Sequence, residues 1–378
     1  MADKKKKQGH FYDFSLLFAV LFITGFGLIM MYSASGYSAQ SQMNDAMYYL
    51  KRQAMFAVLG IGVMLLVSRF FDYHLLGKFN LIIYVIAAVL VVLTMAIGLS
   101  SHGSSRWISL AGVRFQPSEI MKIAVIIVES SVITHYGYRI NDWHTAVPVM
   151  AWGIIPGAVI AFNNLSTGMI IAGITFGMIF VACQKYWPFA TLGLFGILAY
   201  VFAYPFARFL ENIHVLHAYQ LTRIFSWKDP ASYADETFQT LQGLYAIGSG
   251  GIFGKGLGES VQKFLMPEAQ NDMIFTIICE ELGLFGAVSL ILIYSFIIYR
   301  MYDIARNAKD LFGSMLVIGI MFHIALQAIL NIAVATNSIP NTGITLPFVS
   351  YGGTSLVLLM SEVGICLSVS RQIVIERQ

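Results

Sequence analysis

The sequence predicts an all-α polytopic membrane protein with about ten transmembrane helices and a large extracytoplasmic loop between helices 7 and 8. Of its 378 residues, 57% are hydrophobic, and the mean hydropathy is +0.72. Only 11% are charged, whereas an average soluble chain carries about 25%. The apolar residues also fall in long stretches broken by short polar pieces. This pattern excludes a cytosolic enzyme, a coiled coil and a disordered chain.

Each predicted helix corresponds to a stretch of about 20 apolar residues, the length that crosses the hydrocarbon of a bilayer. The stretches lie over residues 14–35, 54–71, 79–98, 118–135, 146–162, 167–184, 187–206, 272–299, 312–334 and 345–370. Residues 1–13 are then a basic cytoplasmic N-terminus, and residues 14–378 form a single ten-helix membrane domain.

The distribution of Lys and Arg predicts the orientation. With the N-terminus in the cytoplasm, 13 cations lie on the cytoplasmic side and 4 in the short outer loops. Because cytoplasmic loops carry an excess of Lys and Arg, both termini are expected in the cytoplasm. The basic run from Lys4 to Lys7 directly precedes an apolar stretch. We interpret it as a topology anchor, and no nucleic-acid partner is expected.

The segment over residues 206–271 is too polar to cross the membrane and too long for a simple connection. Its aromatic residues and glycines predict an ordered structure on the outer face. It also holds a glycine-rich run over residues 248–258 that includes Lys255. Two interpretations of this run are open: a tightly turned loop, or a backbone that approaches a phosphate or a sugar closely.

Spacing excludes two other kinds of site. A P-loop would need Gly where Ser249 stands, and Ser or Thr where Gly256 follows Lys255. The cysteines lie in apolar stretches without CxxC or Cys/His spacing, so neither a disulfide framework nor a metal site is predicted. They are Cys183, Cys279 and Cys366.

Carboxylates at or inside apolar stretches are the main candidates for chemistry. Asp272 lies where the chain enters the membrane; it is either a helix N-cap or a general base. Glu280 and Glu281 follow inside the same stretch. Because ionised groups are costly there, at least one should face a cation or a polar cavity. Glu119 and Lys122 are three residues apart, hence on one helix face, and serve either structure or function.

A break in the last apolar stretch is the remaining candidate. Residues 340–355 contain two prolines, several glycines and hydroxyls, including Ser350 and Gly352. Non-helical backbone at membrane depth is tolerated where it packs in protein or lines a cavity. The segment is therefore a re-entrant turn or a wall that faces the substrate.

In this order, the motifs resemble the SEDS family (FtsW, RodA, SpoVE). They are the runs from Phe115 to Lys122, from Gln239 to Gln242, from Ile247 to Gly251, from Pro267 to Asp272, from Glu280 to Gly283 and from Leu346 to Gly353, with Asp13 and the run from Met31 to Ser35 near the start. The resemblance covers nearly the whole chain. It is nearer to the FtsW and SpoVE branches than to RodA. One departure is Asn164, which stands where the family usually has the Asp of Pro-Asp-Leu-Gly-Thr.

The resemblance implies a peptidoglycan glycosyltransferase that polymerises lipid II at the outer face of the bacterial cytoplasmic membrane, for septal or spore cell-wall synthesis. It implies inversion at the anomeric carbon, release of undecaprenyl pyrophosphate, and a class B penicillin-binding protein as partner among other division or elongation proteins. Asp272 would be the general base. The substrate-binding candidates are Glu119, Lys122, Arg223, Lys255, Glu280, Glu281, Ser350 and Gly352, of which Arg223 and Lys255 rest on location alone.

Two other activities suit the same pattern of charges. One is a lipid II flippase, because intramembrane charges and broken helices occur in transporters. The other is a non-catalytic scaffold that recruits a transpeptidase. No cofactor is required by the sequence, although a divalent cation, Mg or Mn, would suit a pyrophosphate leaving group.

Overall fold

The computed structural model describes residues 9–97, 99–101, 104–110, 113–185, 189–191, 193–194, 196, 198, 200–202, 204–205, 225–234 and 237–375. The helices with defined bounds are α1 (Phe14–Met43), α2 (Tyr48–Phe70), α3 (His74–Lys78), α4 (Asn80–Ile97), α5 (Pro117–Tyr136), α6 (Trp143–Ala161), α7 (Leu165–Ala182), α8 (Phe238–Ser249), α9 (Ile274–Arg306), α10 (Leu311–Ala335) and α11 (Gly353–Arg371). The strands are β1 (Gly9–His10), β2 (Leu99–Ser101), β3 (Ser104–Leu110), β4 (Val113–Phe115) and β5 (Val374–Ile375).

Long apolar helices dominate the protein, as the sequence predicts. Eight of the described helices are long and apolar enough to cross a membrane. The helix α4 overlaps the predicted crossing over residues 79–98. The predicted crossing over residues 187–206 lies partly outside the described residues, and those described between 189 and 205 are helical. The total of about ten crossings therefore stays a prediction.

The lipid-facing surface of the bundle is apolar. On α1, for example, Phe14, Phe18 and Phe22 follow each other at every fourth position and are exposed, whereas Leu16 and Val20 are buried. A helix that is hydrophobic on all sides lies in the core of a large protein or in a membrane. The protein is thus a multi-pass membrane protein.

The two ends of the described chain lie at the same end of the bundle. The strands β1 and β5 pair in antiparallel register, with Gly9 opposite Ile375. Beside them, Asp13 is the N-cap of α1, and its side chain accepts a hydrogen bond from the backbone of Leu16. The same carboxylate binds the guanidinium of Arg300, near the end of α9, at 2.7 Å. Termini on one side require an even number of crossings, which agrees with the predicted ten.

The structure differs from the sequence-based expectation at two places. The short connection between α4 and α5 forms a three-stranded antiparallel sheet, β2–β3–β4, which was not predicted. The last helix begins at Gly353 and not near residue 345. The backbone between α10 and α11 is non-helical, and Phe348 has a left-handed φ of 65°. Residues 346–350 of this segment are buried. They pack against α1 at Gly27 and against α9, where the hydroxyl of Tyr294 binds the carbonyl of Pro347 at 2.5 Å.

Candidate active site

Asp272 precedes α9 without capping it. The N-cap of α9 is Met273, which has no side-chain cap, so the N-cap interpretation of Asp272 is wrong. Instead, Gln239 of α8 donates from Nε2 to Asp272 Oδ1 at 3.4 Å. The amide of Asn331 donates to the backbone carbonyl of Asp272 at 2.8 Å. On its other side, the carboxylate lies beside Gly343, where an added Cβ would be 3.9 Å from Oδ2.

The surroundings of Asp272 make it a better base. Burial raises the pKa of the Asp272 carboxyl, and the nearby charge of Glu268 raises this pKa further. The hydrogen bond from Gln239 and the backbone N–H groups of Asp272 and Met273 oppose this effect on the pKa, but the net direction is upward. A carboxylate with a raised pKa accepts a proton more readily near neutral pH, which suits general-base catalysis.

Glu119 and Lys122 form a buried ion pair, as their spacing predicts. Pro117 is at the first turn of α5, and Lys122 Nζ lies 2.8 Å from Glu119 Oε2. The side chain of Lys122 is 1% exposed and that of Glu119 is 16% exposed. The ammonium also donates to Gln327 Oε1 at 3.3 Å, and Ser355 of α11 donates to Glu119 at 3.3 Å.

A row of polar side chains on α10 joins these two groups, and sequence reasoning missed it. His323, Gln327 and Asn331 are spaced by four residues in an otherwise apolar helix and are buried. Gln327 contacts Lys122, and Asn331 contacts Asp272. Polar residues at every fourth position of a membrane helix are the signal that would have found them, because such residues face the interior of a bundle.

The segment between α10 and α11 is held from several sides. Gln53 of α2 donates to the carbonyl of Ser350 and accepts from the N–H of Gly352, each at 3.2 Å. The hydroxyl of Ser350 accepts from the backbone of Leu346 at 2.8 Å. Both residues thus hold the turn in place, as the re-entrant interpretation expects. Their role in substrate binding stays a prediction.

The glycine-rich loop packs against a break in α9. Gly283 has a φ of 65° and interrupts the helix, and the N–H groups of Leu284 and Phe285 donate to the carbonyls of Gly251 and Ile252. A Cβ on Gly283 would lie 2.4 Å from the nitrogen of Gly254. The backbones of the loop and of α9 approach so closely that Gly254 and Gly283 have to be glycine. Within the described chain, the backbone that the loop approaches is therefore that of α9.

Two ion pairs join α9 to the glycine-rich loop and to the residues that follow it. Lys255 Nζ lies 2.6 Å from Glu280 Oε1, and Lys263 Nζ lies 3.2 Å from Glu281 Oε1. Ser33 of α1 also donates to Glu281 at 2.6 Å. The prediction that at least one of the adjacent carboxylates faces a cation or a polar cavity is confirmed, and each of the two has a cation beside it. A substrate-binding role for Lys255, Glu280 and Glu281 stays a prediction.

The position of Ser33 gives the depth of this cluster. On α1, Ser33 follows Asp13 by 20 residues, which is about 30 Å along a helix and about the thickness of the hydrocarbon. Glu281 therefore lies about one hydrocarbon thickness from the Asp13–Arg300 pair. Asp272 precedes α9 and comes nine residues before Glu281 in the sequence, so it lies at the end of the bundle opposite the termini.

Breaking the buried pair of Lys263 is expected to destabilise the protein. Lys263→Met leaves the carboxylate of Glu281, which is fully buried, without its cation, at a cost of about 3 kcal/mol in the free energy of unfolding. The matched control is Lys51→Met. Its ion pair with Asp45 is exposed, at 64% and 39% for the two side chains, and exposed ion pairs contribute little to stability. Thermal unfolding in detergent should show a lowered Tm for Lys263→Met only; equal Tm values would contradict the prediction.

Two further positions bear on the predictions. Arg223 lies outside the described residues, so its role stays a prediction. Asn164 is the N-cap of α7 and accepts a hydrogen bond from the backbone of Thr167 at 3.2 Å. Asn and Asp are both good N-caps. The Asn that stands here in place of the family's Asp can therefore cap α7 without a charge.

Comparison with known proteins decides the family. The model of the family described as "Cell cycle protein" (FtsW, RodA and SpoVE) matches residues 14–374. The chain belongs to this family. It is 38% identical to stage V sporulation protein E of Bacillus subtilis over 369 residues, which covers 95% of this chain and 97% of that protein. It is 35% identical to the probable peptidoglycan glycosyltransferase FtsW of Bacillus subtilis over 371 residues, covering 97% and 92%. The predicted family is thereby confirmed. The relatives named here are a SpoVE and an FtsW protein, as the predicted resemblance to those branches implies.

Two solved structures show the same fold. A chain of a peptidoglycan synthase complex, described as coordinating polymerization and crosslinking, superposes with a TM-score of 0.76 at 23% identity, covering 95% of this chain and 98% of that one. The rod shape determining protein RodA of Thermus thermophilus superposes with a TM-score of 0.68 at 22% identity, covering 96% and 97%. The predicted class, an all-α polytopic membrane protein, is confirmed.

Proposed function

We propose that this protein is a peptidoglycan glycosyltransferase that polymerises lipid II, with Asp272 as the general base. Membership of the family supports the activity, since its curated relatives include proteins named peptidoglycan glycosyltransferase. The observation that carries the role of Asp272 is its surroundings. Its carboxyl has a raised pKa, lies just before α9 and accepts one long hydrogen bond from the side chain of Gln239. Through Asn331 and Gln327 of α10, Asp272 is also connected to the buried Lys122.

The reaction needs one base and one cation. The 4-hydroxyl of the acceptor sugar attacks the anomeric carbon of the donor, and Asp272 takes the hydroxyl proton. The bond from the anomeric carbon to the pyrophosphate oxygen breaks, and its electron pair leaves with undecaprenyl pyrophosphate. Attack from the opposite face inverts the anomeric carbon, which requires no second carboxylate as nucleophile. We propose that Lys122 stabilises the charge on the leaving pyrophosphate.

The donor set of the described residues does not fit a metal ion held by the protein alone. Within the part of the chain that the structure describes, no three His, Cys, Asp or Glu side chains come together as ligands for a metal ion. A Mg or Mn ion would therefore draw most of its ligands from the pyrophosphate itself. In our proposal the protein contributes positive charge through Lys122, and Arg223 and Lys255 are further candidates for that role.

The proposal also includes a place and a partner. Asp272 lies at the end of the bundle opposite the termini. We propose that the termini are cytoplasmic, which puts Asp272 at the outer face of the cytoplasmic membrane, where lipid II is polymerised. The 13 cations on the side of the termini support this orientation. A class B penicillin-binding protein is proposed as the partner that cross-links the glycan, because a structural neighbour is part of a synthase complex that couples polymerization to crosslinking. Lipid II and other division or elongation proteins complete the set of proposed partners.

The test is polymerisation of labelled lipid II by purified protein in nanodiscs, alone and with a co-purified class B penicillin-binding protein. Wild type is expected to make long glycan in at least one of these preparations. Asp272→Asn, purified in the same way, controls for a contaminating polymerase. If wild type makes no glycan with or without the partner, the polymerase proposal fails. Lipid II flipping in vesicles that survives Asp272→Asn would then favour the transporter, and its absence would favour the scaffold.

A further inference from the structure

Three buried polar side chains lie on one face of α10, and each of them makes hydrogen bonds. His323, Gln327 and Asn331 are exposed by 1%, 3% and 0%. Burying three polar side chains in a membrane helix is costly unless each finds partners. Each of them finds partners on a different part of the protein, and these partners include the ammonium of Lys122 and the backbone carbonyl of Asp272.

The orientation of Gln327 is fixed by what surrounds it. Its Nε2 donates to the carbonyl of Thr345 at 3.1 Å and lies 3.2 Å from the hydroxyl of the same residue. Because a carbonyl only accepts, the nitrogen must face Thr345, and Oε1 must face the other way. There Oε1 accepts from Lys122 Nζ at 3.3 Å and from His323 Nε2 at 3.0 Å.

This arrangement also fixes the ring of His323. Since Gln327 Oε1 is an acceptor, His323 Nε2 must carry a proton. The other nitrogen, Nδ1, lies 2.8 Å from Glu362 Oε2, and both side chains of this pair are 1% exposed. One further proton lies between Nδ1 and the carboxylate, on either atom. Glu362 therefore holds the ring so that Nε2 points at Gln327.

Asn331 makes the corresponding contact one helical turn later. Both donors of its amide are used, with one to the carbonyl of Asp272 at 2.8 Å and one to the carbonyl of Ile344 at 2.6 Å. Asn331 thus ties the residue before α9 to the turn before α11. Gln327 and Asn331 are four residues apart, so their backbone positions are about 6 Å apart along the helix axis.

We propose that Gln327 and Asn331 are positioning residues that hold the ammonium of Lys122 and the backbone of Asp272 at a fixed separation, and that His323 and Glu362 orient Gln327. Neither Gln327 nor Asn331 has to touch the substrate for this role. The inference rests on the proposed function, because it assigns the purpose of the network to a base and a cation that act together. Rigid support of this kind keeps reacting groups within the narrow range of geometry that catalysis needs.

The test measures kcat and KM for lipid II polymerisation in Gln327→Leu and Asn331→Leu, per mole of folded protein. We expect kcat to fall about tenfold in each, the order seen when residues that orient an active-site ligand are removed, with KM changed by less than about twofold. Thr175→Val is the matched control. It removes a buried hydrogen bond of 2.7 Å to Glu129 in the same bundle but none of the hydrogen bonds of His323, Gln327 or Asn331, and it should leave kcat unchanged.

Two comparisons separate positioning from loss of structure. His323→Gln keeps an N–H donor that can reach Gln327 and should retain more activity than His323→Leu. In a Lys122→Met background, Gln327→Leu should cost little further activity, because a residue that acts through Lys122 has nothing left to position. If Gln327→Leu does not yield folded protein, the two His323 variants test the same link with Gln327 in place.

The outcomes are distinguishable from those of the proposed function. If wild type polymerises lipid II and Asp272→Asn does not, the proposed function stands. A kcat for Gln327→Leu and Asn331→Leu equal to that of Thr175→Val would then overturn the positioning role alone. Equal activity of the two His323 variants, or full additivity with Lys122→Met, would also overturn it.

Discussion

Asp272→Asn is expected to abolish glycan polymerisation while the protein stays folded. The amide has nearly the same shape as the carboxylate but cannot take the proton of the attacking hydroxyl. Removal of a general base costs about 10²- to 10⁴-fold in rate. The measurement is glycan formed from labelled lipid II per mole of folded enzyme, with Tm recorded alongside.

The structure gives a reason to expect normal folding of this variant. Asp272 does not cap α9, and its one strong contact, from Asn331, is made by the backbone carbonyl, which the substitution leaves in place. Loss of a charge that burial disfavours should hold or raise Tm. Polymerisation at the wild-type rate by Asp272→Asn would remove Asp272 from the mechanism.

The pKa of Asp272 should be readable in the pH dependence of kcat/KM. A base must be ionised, so activity should rise with pH through the pKa of Asp272, which burial and Glu268 raise above its ordinary value. Glu268→Gln removes a charge that raises this pKa, so the acidic limb of the profile should move to lower pH. Gln239→Leu removes a donor that lowers the pKa, so the limb should move to higher pH. Equal profiles for both variants would show that another group sets the limb.

Charged residues in apolar sequence were the part of the site that could be predicted. Asp272, Glu280 and the Glu119–Lys122 pair stand out because an ionised group in a membrane helix needs a specific reason to be there. The ion pairs of Lys255 and Lys263 could not be paired with their carboxylates beforehand. They depend on the glycine-rich loop turning back onto α9, and that turn depends on backbone approach at Gly254 and Gly283.

Neutral amides were missed for a different physical reason. Gln53, Gln327 and Asn331 carry no charge, so in the sequence each is a small interruption of an apolar stretch. Their importance comes from partners more than 10 residues away, such as the backbone of Ser350 for Gln53 and that of Asp272 for Asn331. The fold class needs only composition and length, whereas these contacts exist only once the helices are packed.

Lys122→Met should lower polymerisation about 10²- to 10³-fold, the usual effect of removing one group that stabilises developing negative charge. The same variant also leaves Glu119, whose side chain is 16% exposed, without its cation. Breaking a buried pair in this way costs about 3–5 kcal/mol, so a loss of activity alone would not separate catalysis from folding.

The double variant Glu119→Gln/Lys122→Met separates the two effects. It removes both charges, so no buried carboxylate is left unpaired, and Tm should return toward the wild-type value. Activity should not return, because the cation that we propose for stabilising the leaving pyrophosphate is still absent. Recovery of both Tm and polymerisation would mean that Lys122 serves only to neutralise Glu119. If Tm recovers and polymerisation does not, the ammonium of Lys122 is assigned to the reaction. The variant would then be a folded protein that keeps Asp272, lacks only the Glu119–Lys122 pair and is still inactive.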